Sequence, residues 1–179
     1  MEGQLTLEGV INFLLETPLF ADLDPTELAE IVRIMQVQRL RPGQSVFREG
    51  EVGDAWFVIY EGRASVSKDN GFGPARNIAN LEPHACFGEM AVLDGSERSA
   101  TVKAETELTL FRFRRAPFQD LMEEGSLAAF KLVTAMARVL CARQRSLNRQ
   151  IADLLEREAD HGPVKQGLGP IIDNYSVSE

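Results

Sequence analysis

The chain is poor in the residues that most often announce a reactive or secreted protein. Of its 179 residues only Cys86 and Cys141 are cysteine. They are too few and too far apart for a disulfide framework or a zinc site, and both are expected as reduced thiols. Only His84 and His161 are histidine, which leaves no cluster for a metal-dependent barrel enzyme, and two cysteines do not supply the usual ligands of an iron–sulfur or haem sensor. His84 itself is expected at the surface, in a turn made by Pro83. No nucleophile stands with a base and no paired-carboxylate site is found, so no enzymatic activity, metal or cofactor is expected. No apolar run approaches the roughly 18 residues of a membrane span. No basic residue precedes the first apolar run, so no secretion signal is expected and the protein is placed in the cytoplasm. Basic residues are in deficit. A formal net charge of −8 argues against broad binding to nucleic acid or anionic membrane, though a local basic site fits inside an acidic shell.

What is present is an ordinary globular composition, 44% hydrophobic and 26% charged, with room for one domain and a helical extension. Leu7, Val10, Ile11, Leu14 and Leu15 recur at helical spacing until Thr17-Pro18. Asp24-Pro25-Thr26-Glu27 opens a second helix, with Leu28, Ile31, Val32 and Met35 on its buried stripe. The pattern then changes to short strands: Gln36–Leu40, Ser45–Arg48, Ala55–Tyr60, Arg63–Lys68, Arg76–Leu81, Ser99–Ala104 and Leu108–Phe113. Pro42-Gly43, Glu49-Gly50, Glu61-Gly62 and Asp69-Asn70-Gly71 supply turns. Helical period returns after Pro117, first in Phe118, Leu121 and Met122, then in a long helix over residues 127–158. The expected division is 1–35 helical, 36–116 short strands of a sandwich or barrel, 117–160 hinge and long helix, and 161–179 a flexible tail. Val133, Leu140, Leu147 and Leu154 repeat every seven residues, with Ala137, Gln144 and Ile151 between them. That seam predicts a parallel homodimer through the long helix.

Residues Phe87 to Thr101 read Phe-Gly-Glu-Met-Ala-Val-Leu-Asp-Gly-Ser-Glu-Arg-Ser-Ala-Thr. Glu89 and Arg98 stand at the ends of a short apolar turn bracketed by Gly88 and Gly95. One helical turn over 88–93 offers unsatisfied N–H groups to an anion. Arg98 adds a planar, permanently charged fork suited to phosphate oxygens. Ionised Glu89 only accepts, which suits a ribose hydroxyl. A side chain at Gly88 is expected to crowd such a ligand against the backbone. Taken as two residues alone, a structural Glu89–Arg98 ion pair is an equal reading.

The stretch resembles the phosphate-binding cassette of cyclic nucleotide-binding domains, the family of bacterial catabolite activator proteins and of the regulatory subunits of cAMP-dependent protein kinase. Other pieces follow in order. Leu19-Phe20, Leu23 and Leu28 resemble the family's entry helix. Gly43, Glu49-Gly50 and Asp54 resemble its first barrel turns, and Phe57-Val58-Ile59 before Gly62 its central strand. The resemblance runs from about Thr17 to at least Leu140. It implies a mainly β fold with flanking helices, a β-barrel of double-stranded β-helix or jelly-roll type, N-terminal helices and a long C-terminal helix. It implies that Arg98 holds the exocyclic oxygens of a cyclic phosphate, helped by Ser99 and the backbone of Ala100. Glu89 takes the 2′-hydroxyl, and Phe87, Gly88, Met90 and Ala91 complete the cassette.

One position departs from the pattern: Glu97 stands where many members have proline, and it is expected to face solvent. Ser99, where guanine-preferring members have threonine, leans the ligand toward cAMP over cGMP. The lid helix brings Arg143 and Gln144 toward the base, one to stack and the other to hydrogen-bond. A solvated arginine and a polar seam residue is the other reading of that pair. Activator proteins carry a helix-turn-helix beyond this helix. Here only about 20 residues remain, broken by Gly and Pro, so the chain is expected complete and without direct DNA binding. The expected function is a cyclic nucleotide sensor that acts through its C-terminal helices on an unidentified protein effector. The alternative is the same fold used as an interaction module without nucleotide.

Overall fold

The computed structural model describes residues 5–69, 71 and 73–160, with side chains followed to residue 156. Asn70 of the expected turn and the expected tail from His161 lie outside the described residues.

Local chemistry sets the entry helices. Thr6 Oγ1 accepts from Gly9 N–H and starts α1, Leu7–Glu16. A 3-10 turn at Pro18–Phe20 leads to α2, Pro25–Arg33. Asp24 Oδ1 accepts the N–H groups of Thr26 and Glu27, and Glu27 Oε2 accepts the Asp24 N–H, a reciprocal cap that fixes where α2 begins. Met35 corrects the expected stripe: it opens β1 rather than closing α2, because pairing with Phe113 starts there.

Eight strands follow: β1 Met35–Leu40, β2 Ser45–Phe47, β3 Ala55–Glu61, β4 Ala64–Lys68, β5 Arg76–Leu81, β6 Cys86–Phe87, β7 Thr101–Ala104 and β8 Leu108–Arg114. They form two antiparallel four-stranded sheets, ordered β1-β8-β3-β6 and β2-β7-β4-β5. The arrangement is a two-sheet roll rather than a closed barrel, flanked by helices as the sequence predicts.

The alternation along β3 shows how one strand serves two cores. Ala55, Phe57 and Ile59 join Leu40, Phe87, Val102, Leu108 and Leu110 inside the roll. Trp56 and Val58 face the opposite way, into a core with Phe111, Phe113, Val10, Leu14, Leu28, Ile31, Leu132 and Met136. Trp56 is fully buried and stacks on Phe113 with ring centroids 4.1 Å apart. A strand buried on both faces reads as one apolar run, as Ala55–Tyr60 does.

Two further helices close the described residues, α4 Arg115–Glu123 and α5 Leu127–Asp160. The described residues divide into two units, the first ending at Val139 and the second beginning at Leu140. Within the first, α5 buries Ala128, Ala129, Leu132, Ala135 and Met136. Lys131 Nζ donates to both Glu27 carboxylate oxygens at 2.6 and 2.7 Å, and Arg138 pairs with Asp22 at 2.8 Å. Within the second, Leu147, Ile151, Leu154 and Leu155 are 46–59% exposed. No single described helix is long and apolar enough to cross a membrane.

Candidate functional site

The cassette is built by two left-handed glycines around one short helix. β6 lays Phe87 beside Phe57 of β3. Gly88 then turns the chain at φ 77°, α3 runs Glu89–Asp94, and Gly95 ends it at φ 76° with its N–H on Ala91 O. Both glycines hold conformations that side chains adopt only with strain. A Cβ on Gly88 falls 2.8 Å from Arg98 Nη1, so the group it crowds is the arginine itself. Behind α3, a Cβ on Gly53 comes within 2.1 Å of Ala91 Cβ. The loop before β3 therefore backs directly onto the cassette helix.

Arg98 is 4% exposed, and its position is fixed at both ends. In the main chain its N–H donates to Glu51 O at 2.8 Å, and its carbonyl accepts from Gly50 N–H at 2.9 Å. In the side chain Nη1 donates to Gly88 O at 2.8 Å and Nη2 to Ala55 O at 2.6 Å. The guanidinium carbon lies 4.2 Å from the centroid of the Phe47 ring, a cation–π contact. Nε is buried with no hydrogen-bond partner among the described residues. Burial pulls the Arg98 pKa down, the carboxylates of Asp54, Glu51 and Glu89 oppose that, and Arg112 adds to the lowering. An arginine starts so high that it stays a cation throughout. Glu89 is 3% exposed on the first turn of α3. A buried guanidinium and a buried carboxylate thus flank one helical turn, an arrangement suited to a ligand with both an anionic group and a hydroxyl.

Other expected residues are placed as follows. Phe87, Ala91 and Ala100 are buried, and Met90 is 45% exposed. Ser99 is exposed, with its carbonyl accepting from Lys68 Nζ at 2.7 Å. Glu97 faces solvent, as expected. Arg143 and Gln144 belong to the second unit, where both are exposed and Gln144 Nε2 donates to Asn148 Oδ1 at 3.1 Å. His84 corrects its expectation as a surface residue. It is half-buried at φ 68°, stacks on Phe13 at 4.1 Å and lies 2.8 Å from Thr17 Oγ1. Thr17 spends its one hydroxyl hydrogen on Phe13 O, so His84 Nδ1 is the donor of that pair. No group of three or more metal-ligating side chains occurs among the described residues. Sequence reading missed Phe47, Gly53, the Ala55 carbonyl and Lys68. Only the glycine next to Asp54 carried any signal.

Comparison with known proteins places the same stretch. The family profile described as "Cyclic nucleotide-binding domain" matches residues 37–125. A cyclic nucleotide-gated potassium channel of Mesorhizobium japonicum is 41% identical over 68% of this chain, which spans only 32% of the channel's length. The cyclic AMP receptor protein of Thermus thermophilus is 30% identical over 87% of this chain and 74% of its own. Among solved structures, a cyclic nucleotide-binding domain from Methylobacillus flagellatus superposes with a TM-score of 0.76 at 23% identity, covering 91% of this chain and 87% of the other.

Proposed function

The chain belongs to the cyclic nucleotide-binding domain family, and from that premise we propose that it is a cAMP sensor whose C-terminal helices pass the signal to a partner protein. The observation that carries the reading is the buried Arg98 guanidinium, held under α3 by the Gly88 and Ala55 carbonyls with Glu89 buried in the same turn. In this reading Arg98, Ser99 and the Ala100 backbone hold the cyclic phosphate. Glu89 takes the 2′-hydroxyl, and Phe87, Gly88, Met90 and Ala91 shape the turn around them. For the base, the family resemblance names Arg143 and Gln144 as candidates. Ser99 favours adenine, and the cAMP receptor relative supports the same choice. Calorimetric titration with cAMP and cGMP tests it. Micromolar or tighter binding with cAMP preferred is expected, and no heat with either nucleotide moves the function to an interaction module.

Glu89 yields a second expectation. An acceptor left facing a missing donor in a closed site costs about 1–3 kcal/mol. A 2′-deoxy analogue of cAMP should therefore bind about tenfold more weakly than cAMP. Equal affinities remove Glu89 from the ribose.

Assembly follows from α5. Exposed Leu147, Ile151 and Leu154 continue the seven-residue spacing, which supports a parallel homodimer through this helix. Sedimentation of the double variant Leu147→Asp, Ile151→Asp is expected to show monomer where the parent sediments as dimer. A parent monomer, or an unchanged variant dimer, rejects the seam. The cytoplasmic address goes with this reading, as does action without DNA contact or a membrane.

A further inference from the structure

We propose that Lys68, which lies outside the cassette, is a positioning residue that clamps the Arg98–Ser99 end of the site by joining the Ser99 carbonyl to Glu49. The role toward ligand rests on the cyclic nucleotide reading; the clamp itself rests on geometry. Lys68 ends β4, and its Nζ donates to Ser99 O at 2.7 Å and to Glu49 Oε1 at 2.8 Å. The other Glu49 oxygen accepts from Asp69 N–H at 3.1 Å, and the Glu49 N–H donates to Thr101 Oγ1 at 3.0 Å. One ammonium therefore ties together the end of β4, the loop after β2 and the approach to β7. The next two loop residues, Gly50 and Glu51, bond the main chain of Arg98 on both sides. Among the described residues, Lys68 alone holds the Arg98–Ser99 backbone with a charged side chain.

The charge matters more than the bond. An ion pair this exposed contributes little to folding, so the clamp is not there for global stability. Yet Glu49, Glu51, Asp54, Glu89, Asp94 and Glu97 crowd this stretch with carboxylates, and a phosphate monoanion has to approach through their field. Hydrogen bonding from Lys68, then from the Asp69 N–H, holds the Glu49 carboxyl below its usual range, so its charge is present at neutral pH. Lys68 cancels that charge while holding the arginine's neighbour in place. Replacing it with methionine keeps the aliphatic stem, frees the Ser99 carbonyl and leaves Glu49 uncompensated.

The test compares Lys68→Met, Lys68→Arg and the double variant Lys68→Met, Glu49→Gln. Each is titrated with cAMP at low and high salt, alongside amide hydrogen exchange without nucleotide. Lys68→Met is expected to weaken cAMP about fivefold at low ionic strength and less at high, because screening removes the Glu49 repulsion. Its thermal midpoint should stay within about 2 °C of the parent. Arginine at 68 should restore affinity to within about twofold, and the double variant should recover part of the loss. Exchange at the Gly50 and Arg98 amides should quicken in Lys68→Met. Affinity within about twofold of the parent, or a loss that neither salt nor Lys68→Arg reduces, overturns the proposal. No binding of cAMP by the parent overturns the nucleotide reading instead. The exchange comparison, made without nucleotide, still judges the clamp, and unchanged exchange rejects it.

Discussion

Replacing Arg98 with alanine is expected to weaken cAMP binding at least about 100-fold while the protein remains folded. The guanidinium offers five N–H donors, of which two are committed to the Gly88 and Ala55 carbonyls. The three left over include Nε, which is buried and has no hydrogen-bond partner among the described residues. A donor set fixed before the ligand arrives gives up little conformational freedom on binding, so most of its charge-assisted bonding appears as affinity. Truncating one partner of such a desolvated ion pair costs about 2–5 kcal/mol, and about 2.7 kcal/mol is already 100-fold. The effect on folding is smaller because two terms oppose each other. The Gly88 and Ala55 carbonyls lose their donors, but a buried cation no longer has to be desolvated. Arg98→Lys keeps the charge and loses the fork. It cannot serve two carbonyls and a phosphate together, so it should fall between the parent and alanine. Calorimetry with cAMP, paired with a thermal scan, checks all three proteins. Affinity of Arg98→Ala within about threefold of the parent, well under one unit of log K, rejects Arg98 as the phosphate ligand.

Much of this site was legible because its chemistry is local. Gly88, Glu89, Gly95 and Arg98 lie within one run of sequence, and the two glycines mark its left-handed turns. What surrounds the run was not legible, because it is assembled from elsewhere in the chain. Phe47 lies beneath Arg98 from β2, Ala55 supplies a backbone carbonyl whatever its side chain, and Lys68 arrives from β4. Exposed and at a strand end, Lys68 has no periodicity to betray a role. The same limit applies to the fold. Strands such as Ala55–Glu61 were readable from their apolar run, but β6 has two residues and no pattern to read. Whether two sheets close into a barrel depends on which edges pair, and edge pairing leaves no mark on a single strand. His84 was misread because its partners, Phe13 and Thr17, lie in and just after α1, far away in sequence.

Gly53→Ala is expected to damage folding and binding together, by about 2–3 kcal/mol of stability and at least tenfold in cAMP affinity. Gly53 is buried and does not sit at a positive φ, so alanine meets no left-handed backbone penalty there. The obstacle is space alone. The added Cβ comes within 2.1 Å of Ala91 Cβ, 3.4 Å of Ala91 Cα and 3.4 Å of Arg98 Cζ. The first contact is impossible and the Ala91 methyl has no torsion that swings it aside, so either α3 or the loop before β3, which Gly50 and Glu51 tie to the Arg98 main chain, must move. Close-packed interiors transmit such a displacement rather than absorb it. α3 carries Glu89 on its first turn and follows Gly88, whose carbonyl holds Arg98. Either displacement therefore reaches the charged groups of the site. The cause can be isolated by removing the other methyl. In Gly53→Ala, Ala91→Gly the contacts left near residue 53 are at the limit of ordinary packing. Affinity should then return to within about threefold of the parent, although glycine inside α3 still costs about 1 kcal/mol of stability. If the double variant binds no better than Gly53→Ala, the clash with Ala91 is not what positions the cassette. If Gly53→Ala binds like the parent, the loop before β3 is only a backing, and α3 is held from the β6 side through Phe87 and Gly88.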